Sequence, residues 1–151
     1  MKVYVLTREI YIRKPLSEVF SFFDRPENLA IITPKSLGFK ILTPAAIKMG
    51  QGALIDYTIK ILKFNFHWRT LITTYEPPNC FVDEQLKGPY AFWNHKHTFF
   101  EYNDGTLMKD LVHYALPLGF LGIIAHSLFV KRQINYIFDY RTKIVNDLFS
   151  K

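Results

Sequence analysis

From Phe39 to Tyr114 apolar residues recur mostly at every second position, and from about residue 120 onward the period becomes helical. A period of two places successive side chains on opposite faces of an extended strand, whereas a period near 3.6 builds one stripe on a helix. The clearest strand sets Ala53, Ile55, Tyr57, Ile59 and Ile61 against Leu54, Asp56, Thr58 and Lys60, one face dry and the other wet, as in an antiparallel sheet. Turn signals at Pro77-Pro78, Gly88-Pro89 and Asn103-Asp104-Gly105 divide the remainder into expected strands near 64–75, 80–86, 91–102 and 106–115, joined as sequential hairpins. Ahead of them, residues 2 to 13 read as a strand with an irregularity near Thr7. Pro15 then opens a helix through LSEVFSFF, and Asp24 is the expected cap of a second short helix through Leu29. At the other end Ile123, Ser127, Val130, Ile134, Ile137, Ile144 and Leu148 mark one long amphipathic helix. The expected fold is α+β: a curved antiparallel sheet of about seven strands, two short helices, and a long C-terminal helix that encloses a cavity against the sheet.

At 151 residues, without a repeat, linker or low-complexity segment, the chain is expected to form one domain over 1–151. Fourteen Phe and nine Tyr are many for that length, and rings of that size either fill a core or wall a ligand pocket. The net charge of +6 is dispersed: the longest basic runs are the pairs Arg13-Lys14 and Lys131-Arg132. A nucleic-acid interface needs clustered cations, so no nucleic-acid partner is expected. A lone cysteine, Cys80, gives neither an internal disulfide nor a thiolate metal site and agrees with a reducing, cytoplasmic setting. Arg8 and Glu9 interrupt what a signal peptide needs as an unbroken apolar run. Residues 111 to 130 are the most hydrophobic window, but Pro117, Gly119, Gly122 and two histidines break it. It reads as a strand end, a turn and the start of a buried helix in preference to a membrane span. Leu116 to Leu121 has two further readings, a lid and a segment that touches a membrane transiently.

The chemistry concentrates in QLKGPYAFWNHKHTFF, residues 85 to 100. On a strand Trp93, His95, His97 and Phe99 share one face, with Asn94, Lys96 and Thr98 on the other. A two-residue Asn103-Asp104 turn places His97 opposite Asp110 and Trp93 opposite Tyr114. A short turn at Gly88-Pro89 brings Asp83 and Gln85 near Trp93, and Phe81 near His95. Asp83, Gln85, His95, His97 and Asp110 then face an otherwise aromatic interior. Burial there is costly unless the groups pair, hydrogen-bond or act on a ligand. Three uses compete. A metal would take His95, His97 and Asp110, but HxH on a strand is a weak signal, and no metal and no cofactor are expected. His95 or His97 oriented by Asp110 would serve as a general acid or base; no serine is placed to make a nucleophilic triad. The third use is a hydrogen-bonding anchor for a bound molecule. Trp68, inward with Thr70 and Ile72, and Arg141, beside the stripe of the last helix and expected at the cavity mouth, complete the candidate ligand-binding set with Phe99 and Tyr114.

The order strand, two short helices, about six strands and a long helix resembles the helix-grip fold of the START-like and pollen-allergen-like superfamily, often called SRPBCC. FFDRPENLAIITP (22–34), TTYEPPNCFVDEQLKGPYAFWNHKHTF (73–99), GTLMKDLVHYALPLG (105–119) and IFDYR (137–141) resemble a bacterial ligand-binding subfamily sometimes labelled cell-division inhibitors. The superfamily includes lipid carriers, hormone and quinone binders, polyketide cyclases and ring hydroxylase domains. The resemblance implies a small, mostly hydrophobic ligand in the cavity, with two alternatives: a cyclase or dehydratase using a cavity histidine, or a regulator acting through a protein partner.

Overall fold

The computed structural model describes residues 1–150. Strand β1 (Tyr4–Ile12) leads into α1 (Leu16–Phe23), a 3₁₀ turn at Pro26–Asn28, α2 (Leu29–Ile32) and a second 3₁₀ turn at Lys35–Leu37. Six strands come next: β2 (Lys40–Ile41), β3 (Leu54–Ile61), β4 (Phe64–Glu76), β5 (Cys80–Lys87), β6 (Phe92–Tyr102) and β7 (Gly105–Ala115). The chain ends in α3 (Phe120–Ala125), a π turn (His126–Val130) and α4 (Lys131–Phe149), continuous in direction. All seven strands form one antiparallel sheet in the order β1-β7-β6-β5-β4-β3-β2. This is the expected α+β helix-grip architecture.

Alternation explains which residues go inside. Trp68, Thr70 and Ile72 from β4, His95, His97 and Phe99 from β6, and Met108, Asp110, Val112 and Tyr114 from β7 are all buried, while their neighbours in sequence, Ala115 at the end of β7 excepted, are more exposed. Two register shifts between β4 and β5, at Arg69/Thr70 and Ile72/Thr74, leave one extra residue in each strand, Leu86 in β5 and Thr73 in β4, and such bulges bend a sheet locally. The core fills one end of the groove: Phe20 and Phe23 of α1 pack with Phe81, Phe99, Met108 and Val145. Phe20 meets Phe81 and Phe99 edge-on at 6.0 and 5.2 Å, the arrangement favoured by ring quadrupoles.

Several local expectations change. β1 has no irregularity: Leu6, Ile10 and Ile12 are buried from one face, and Val3 and Val5 lie outside at 46% and 58% exposure. Asp24 caps nothing with its side chain; Arg25 occupies the N-cap position, and the Asp24 carboxylate accepts a 2.9 Å hydrogen bond from Tyr75. The buried stripe of α4 is Ile134, Phe138, Arg141 and Val145, whereas Ile123 and Leu148 are exposed at 41% and 40%. The helix after Pro117 is not buried: Phe120, Leu121 and Leu128 reach solvent. Among the described residues no helix is long and apolar enough to cross a membrane.

Candidate functional site

β6 and β7 meet through a two-residue turn in which Asn103 and Asp104 both take positive φ, 45° and 62°, as a tight hairpin of this hand requires. That turn sets His97 opposite Asp110 and Trp93 opposite Tyr114. On the other side β5 places Asp83 opposite His95 and Phe81 opposite His97, two residues away from the expected register. The same face results, because a shift of two preserves side-chain direction.

The outcome is a closed ladder of two imidazoles and two carboxylates. His95 Nε2 lies 2.7 Å from Asp110 Oδ1, and its Nδ1 lies 3.7 Å from Asp83 Oδ2. His97 Nε2 lies 2.6 Å from Asp83 Oδ2, and its Nδ1 lies 3.4 Å from Asp110 Oδ1. The rings stack at 3.7 Å, with Phe81 stacked on the far side of His97 at 4.0 Å. Arg141 stands 3.9 Å from Asp110 and over the Phe138 ring. Arg141 is therefore buried beside the ladder, not at the cavity mouth.

Electrostatics divide the two histidines. Burial lowers the His95 imidazolium and the neighbouring His97 charge lowers it further, outweighing both carboxylates, so His95 titrates below the usual histidine value. Burial also opposes charge on His97, but hydrogen bonds to Asp110 and Asp83 prevail and raise it. Burial alone would raise both carboxyls; instead the histidines and Arg141 hold Asp83 and Asp110 below the ordinary carboxylate range. One proton assignment satisfies all of this. Neutral His95 donates from Nε2 to Asp110, and imidazolium His97 directs its N–H groups at Asp83 and Asp110. Two negative charges then face two positive ones, His97 and Arg141, and the buried cluster is neutral.

Asp83, His95 and His97 place ligand atoms within 4.8 Å of one another, which raises the metal question directly. Convergent coordination requires ring lone pairs that meet at a point. Here the rings lie 3.7 Å apart with only 27° between their planes, so the lone pairs run nearly side by side, and Asp83 already receives the His97 proton. The geometry favours a proton over a metal ion.

Beside the ladder lies a cavity of about 150 Å³, walled by Tyr57, Trp68, Tyr90, Trp93, Phe138 and aliphatic side chains from β3 and α4. Trp68 stacks with Tyr57 at 5.7 Å and meets Trp93 edge-on at 5.3 Å. Of the sequence candidates, Trp68, Asp83, Trp93, His95, His97 and Arg141 line this cavity. The others do not. Asp110 sits behind the histidines, Phe99 is core, and Tyr114 hydrogen-bonds His126 at 2.7 Å. Gln85 is occupied by the loop it precedes: its amide donates to the Tyr90 carbonyl and accepts from the Tyr90 N–H. Sequence reasoning missed Tyr90 and Phe138. Phe138 was accessible, standing four residues after Ile134 and three before Arg141 on one helix face; Tyr90, in a turn without periodicity, carried no signal. Three cavity-lining residues hold buried nitrogens without hydrogen-bond partners, Trp68 Nε1, Arg141 Nε and His97 Nδ1, the last of them facing Asp110 Oδ1 at 3.4 Å.

No family model matches the sequence, and no curated protein matches it. Solved structures do. An aromatase/cyclase from Streptomyces superposes with a TM-score of 0.77 at 13% identity, over 99% of this chain and 94% of that one. A major latex-like protein from Panax ginseng gives 0.69 at 10% identity, over 97% of both chains. A norcoclaurine synthase mutant from Thalictrum, in complex with a transition-state analogue, gives 0.66 at 13% identity over 97% and 96%. The chain has the helix-grip fold that these structures share. These similar structures lend nothing to the cell-division label. At such identities the likeness describes the fold alone, and function rests on the site.

Proposed function

We propose that the chain binds a small, mostly apolar aromatic molecule in the cavity between sheet and α4, and holds one acceptor group of that molecule by hydrogen bonds. The observation that carries this reading is the pair of unpartnered buried donors, Trp68 Nε1 and Arg141 Nε, in a wall made mostly of aromatic and aliphatic side chains. A buried donor left unmade costs about 1–3 kcal/mol, and an acceptor on a ligand removes that cost while the rings take up its apolar body. An apolar space of roughly 150 Å³ holds about one benzene-sized ring, so the fitting class is a monocyclic phenol, quinone or aryl ketone. That an aromatase/cyclase and a norcoclaurine synthase holding a transition-state analogue share this fold supports the reading.

The test is fluorescence titration of Trp68 and Trp93 with such compounds, together with native mass spectrometry of the purified protein. Saturable quenching is expected, with affinity about tenfold weaker in Trp68→Phe, which keeps the ring and removes the donor. Absence of any bound molecule and of any saturable response overturns the reading.

A second reading is favoured by one specific feature, the imidazolium of His97 between two carboxylates. A histidine that retains its proton above the usual pH beside an aromatic cavity is a general acid for a cyclisation or dehydration. In that case His97→Asn abolishes turnover while binding persists.

A further inference from the structure

The start of the C-terminal helix breaks the rule that apolar side chains go inside. Leu118 is 76% exposed, Phe120 72% and Leu128 74%, with Leu121 and Ile124 at half exposure or more. Only Gly122 and His126 of this segment, through Ser127, are buried. Loose geometry does not account for it. Leu118 is held at φ +70°, a conformation costly for a branched side chain. Gly122 packs so closely that an added Cβ would stand 2.2 Å from the Pro117 carbonyl oxygen. His126 is pinned between Tyr4, stacked at 3.4 Å, and the Tyr114 hydroxyl. A π turn comes next, a feature enriched at functional sites. The turn is fixed in a shape that displays leucine and phenylalanine to water.

Charge identifies what covers it. From Leu111 to Phe138 the sequence contains no Asp or Glu, and none occurs before Glu9. Exposed Lys2 lies in the same groove as Leu118 and Phe120. Lys2 also shares a second groove with Ile123, Ser127 and Lys131, and exposed Arg132 adjoins Lys131. A second copy of this chain would bring these cations against themselves; Asp139, the first acid after them on the helix, shares a groove with Lys131 and Arg132 but is paired with Arg8 at 3.2 Å.

We propose that this tip docks on an anionic membrane surface, with Leu118, Phe120, Leu121 and Leu128 entering the acyl boundary and Lys2, Lys131 and Arg132 meeting lipid phosphates. Apolar insertion and cation attraction act together in such docking. The inference is independent of what the cavity binds.

The test is co-sedimentation of the full chain with vesicles of phosphatidylcholine containing phosphatidylglycerol, against phosphatidylcholine alone. Binding is expected only to the anionic vesicles, weakened by salt at about 0.5 M, where charges are screened within a few ångströms. Phe120→Ser with Leu128→Ser is expected to lower the partition coefficient at least about tenfold, and Lys131→Glu with Arg132→Glu to lower it similarly. Circular dichroism and thermal midpoint establish that each variant is folded. No binding to anionic vesicles, binding undiminished by folded variants, or a concentration-dependent dimer that disappears in Phe120→Ser/Leu128→Ser each overturns the proposal.

Discussion

The ladder on β5–β7 and the tip of α3 invert the usual distribution of polarity in opposite ways. In the ladder, two carboxylates, two imidazoles and a guanidinium lie inside, where ions are costly. At the tip, leucine and phenylalanine lie outside, where apolar area is costly. The two also differ in how they are supported. Each ladder group faces an opposite charge, so the burial is compensated within the protein. No described residue covers the tip, and the proposed membrane contact is what would compensate it. The proposed ligand site thus rests on the internal inversion, and the proposed docking contact on the external one.

This contrast predicts where mutation is expensive. Asp110 receives a hydrogen bond from His95, faces His97 Nδ1 at 3.4 Å and Arg141 at 3.9 Å, and is almost fully buried. Removing its charge in Asp110→Asn leaves His97 and Arg141 facing Asp83 alone, an unbalanced buried positive charge. Breaking a buried pair on one side costs about 3–5 kcal/mol. Urea denaturation should therefore show the midpoint falling sharply; a change below about 1 kcal/mol would mean that the ladder is not charged as assigned.

The pH dependence sharpens the same assignment. His97 has a raised value in the folded chain, so its contribution is complete below the unfolded value near ~6.5 and is lost as pH rises through the folded one. His95 is lowered. It favours folding above ~6.5 and opposes it as pH falls below that value. Asp83 and Asp110, both lowered, contribute above about 3.8 and lose that contribution as pH falls. Stability should thus peak near neutrality. His97→Gln should flatten the alkaline side and His95→Gln the fall just below pH ~6.5, read by thermal unfolding across pH. Unchanged alkaline slopes in His97→Gln would break the division between the histidines.

How much of this could be read from the sequence depended on which local rule controlled each element. The Asn103-Asp104 turn has a fixed geometry, so the pairing of His97 with Asp110 could be reached by counting. The loop from Gly88 to Ala91 has none: its shape depends on Gln85 folding back to Tyr90, and the register came out two residues away. Parity survived, so the members of the ladder were legible while their partners were not. In the C-terminal helix the π turn at His126–Val130 inserts an extra residue per turn and rotates α4 relative to α3. A stripe begun at Ile123 therefore does not continue in phase into α4, whereas Phe138, four residues after Ile134 on one face of α4, was legible without crossing the turn. Burial of the α3 tip was expected because apolar runs are normally covered, and no local pattern reveals a face left open.

The last expectation concerns the tip and is the smallest in size. If Leu128 is displayed and not packed, its replacement removes little that the folded chain relies on. At 74% exposure it has few neighbours to lose, and substitutions at such surface sites usually stay within about 0.5 kcal/mol. Leu128→Ser should accordingly unfold in urea at the wild-type midpoint with an unchanged slope, in contrast to the several kcal/mol expected for Asp110→Asn. The glycine that shapes the tip should behave differently. Gly122→Ala forces a Cβ against the Pro117 carbonyl, and the turn must move, at a cost of about 1–3 kcal/mol. A costly Leu128→Ser together with a neutral Gly122→Ala would show a tip that packs through its apolar residues, and the contrast with the ladder would fail.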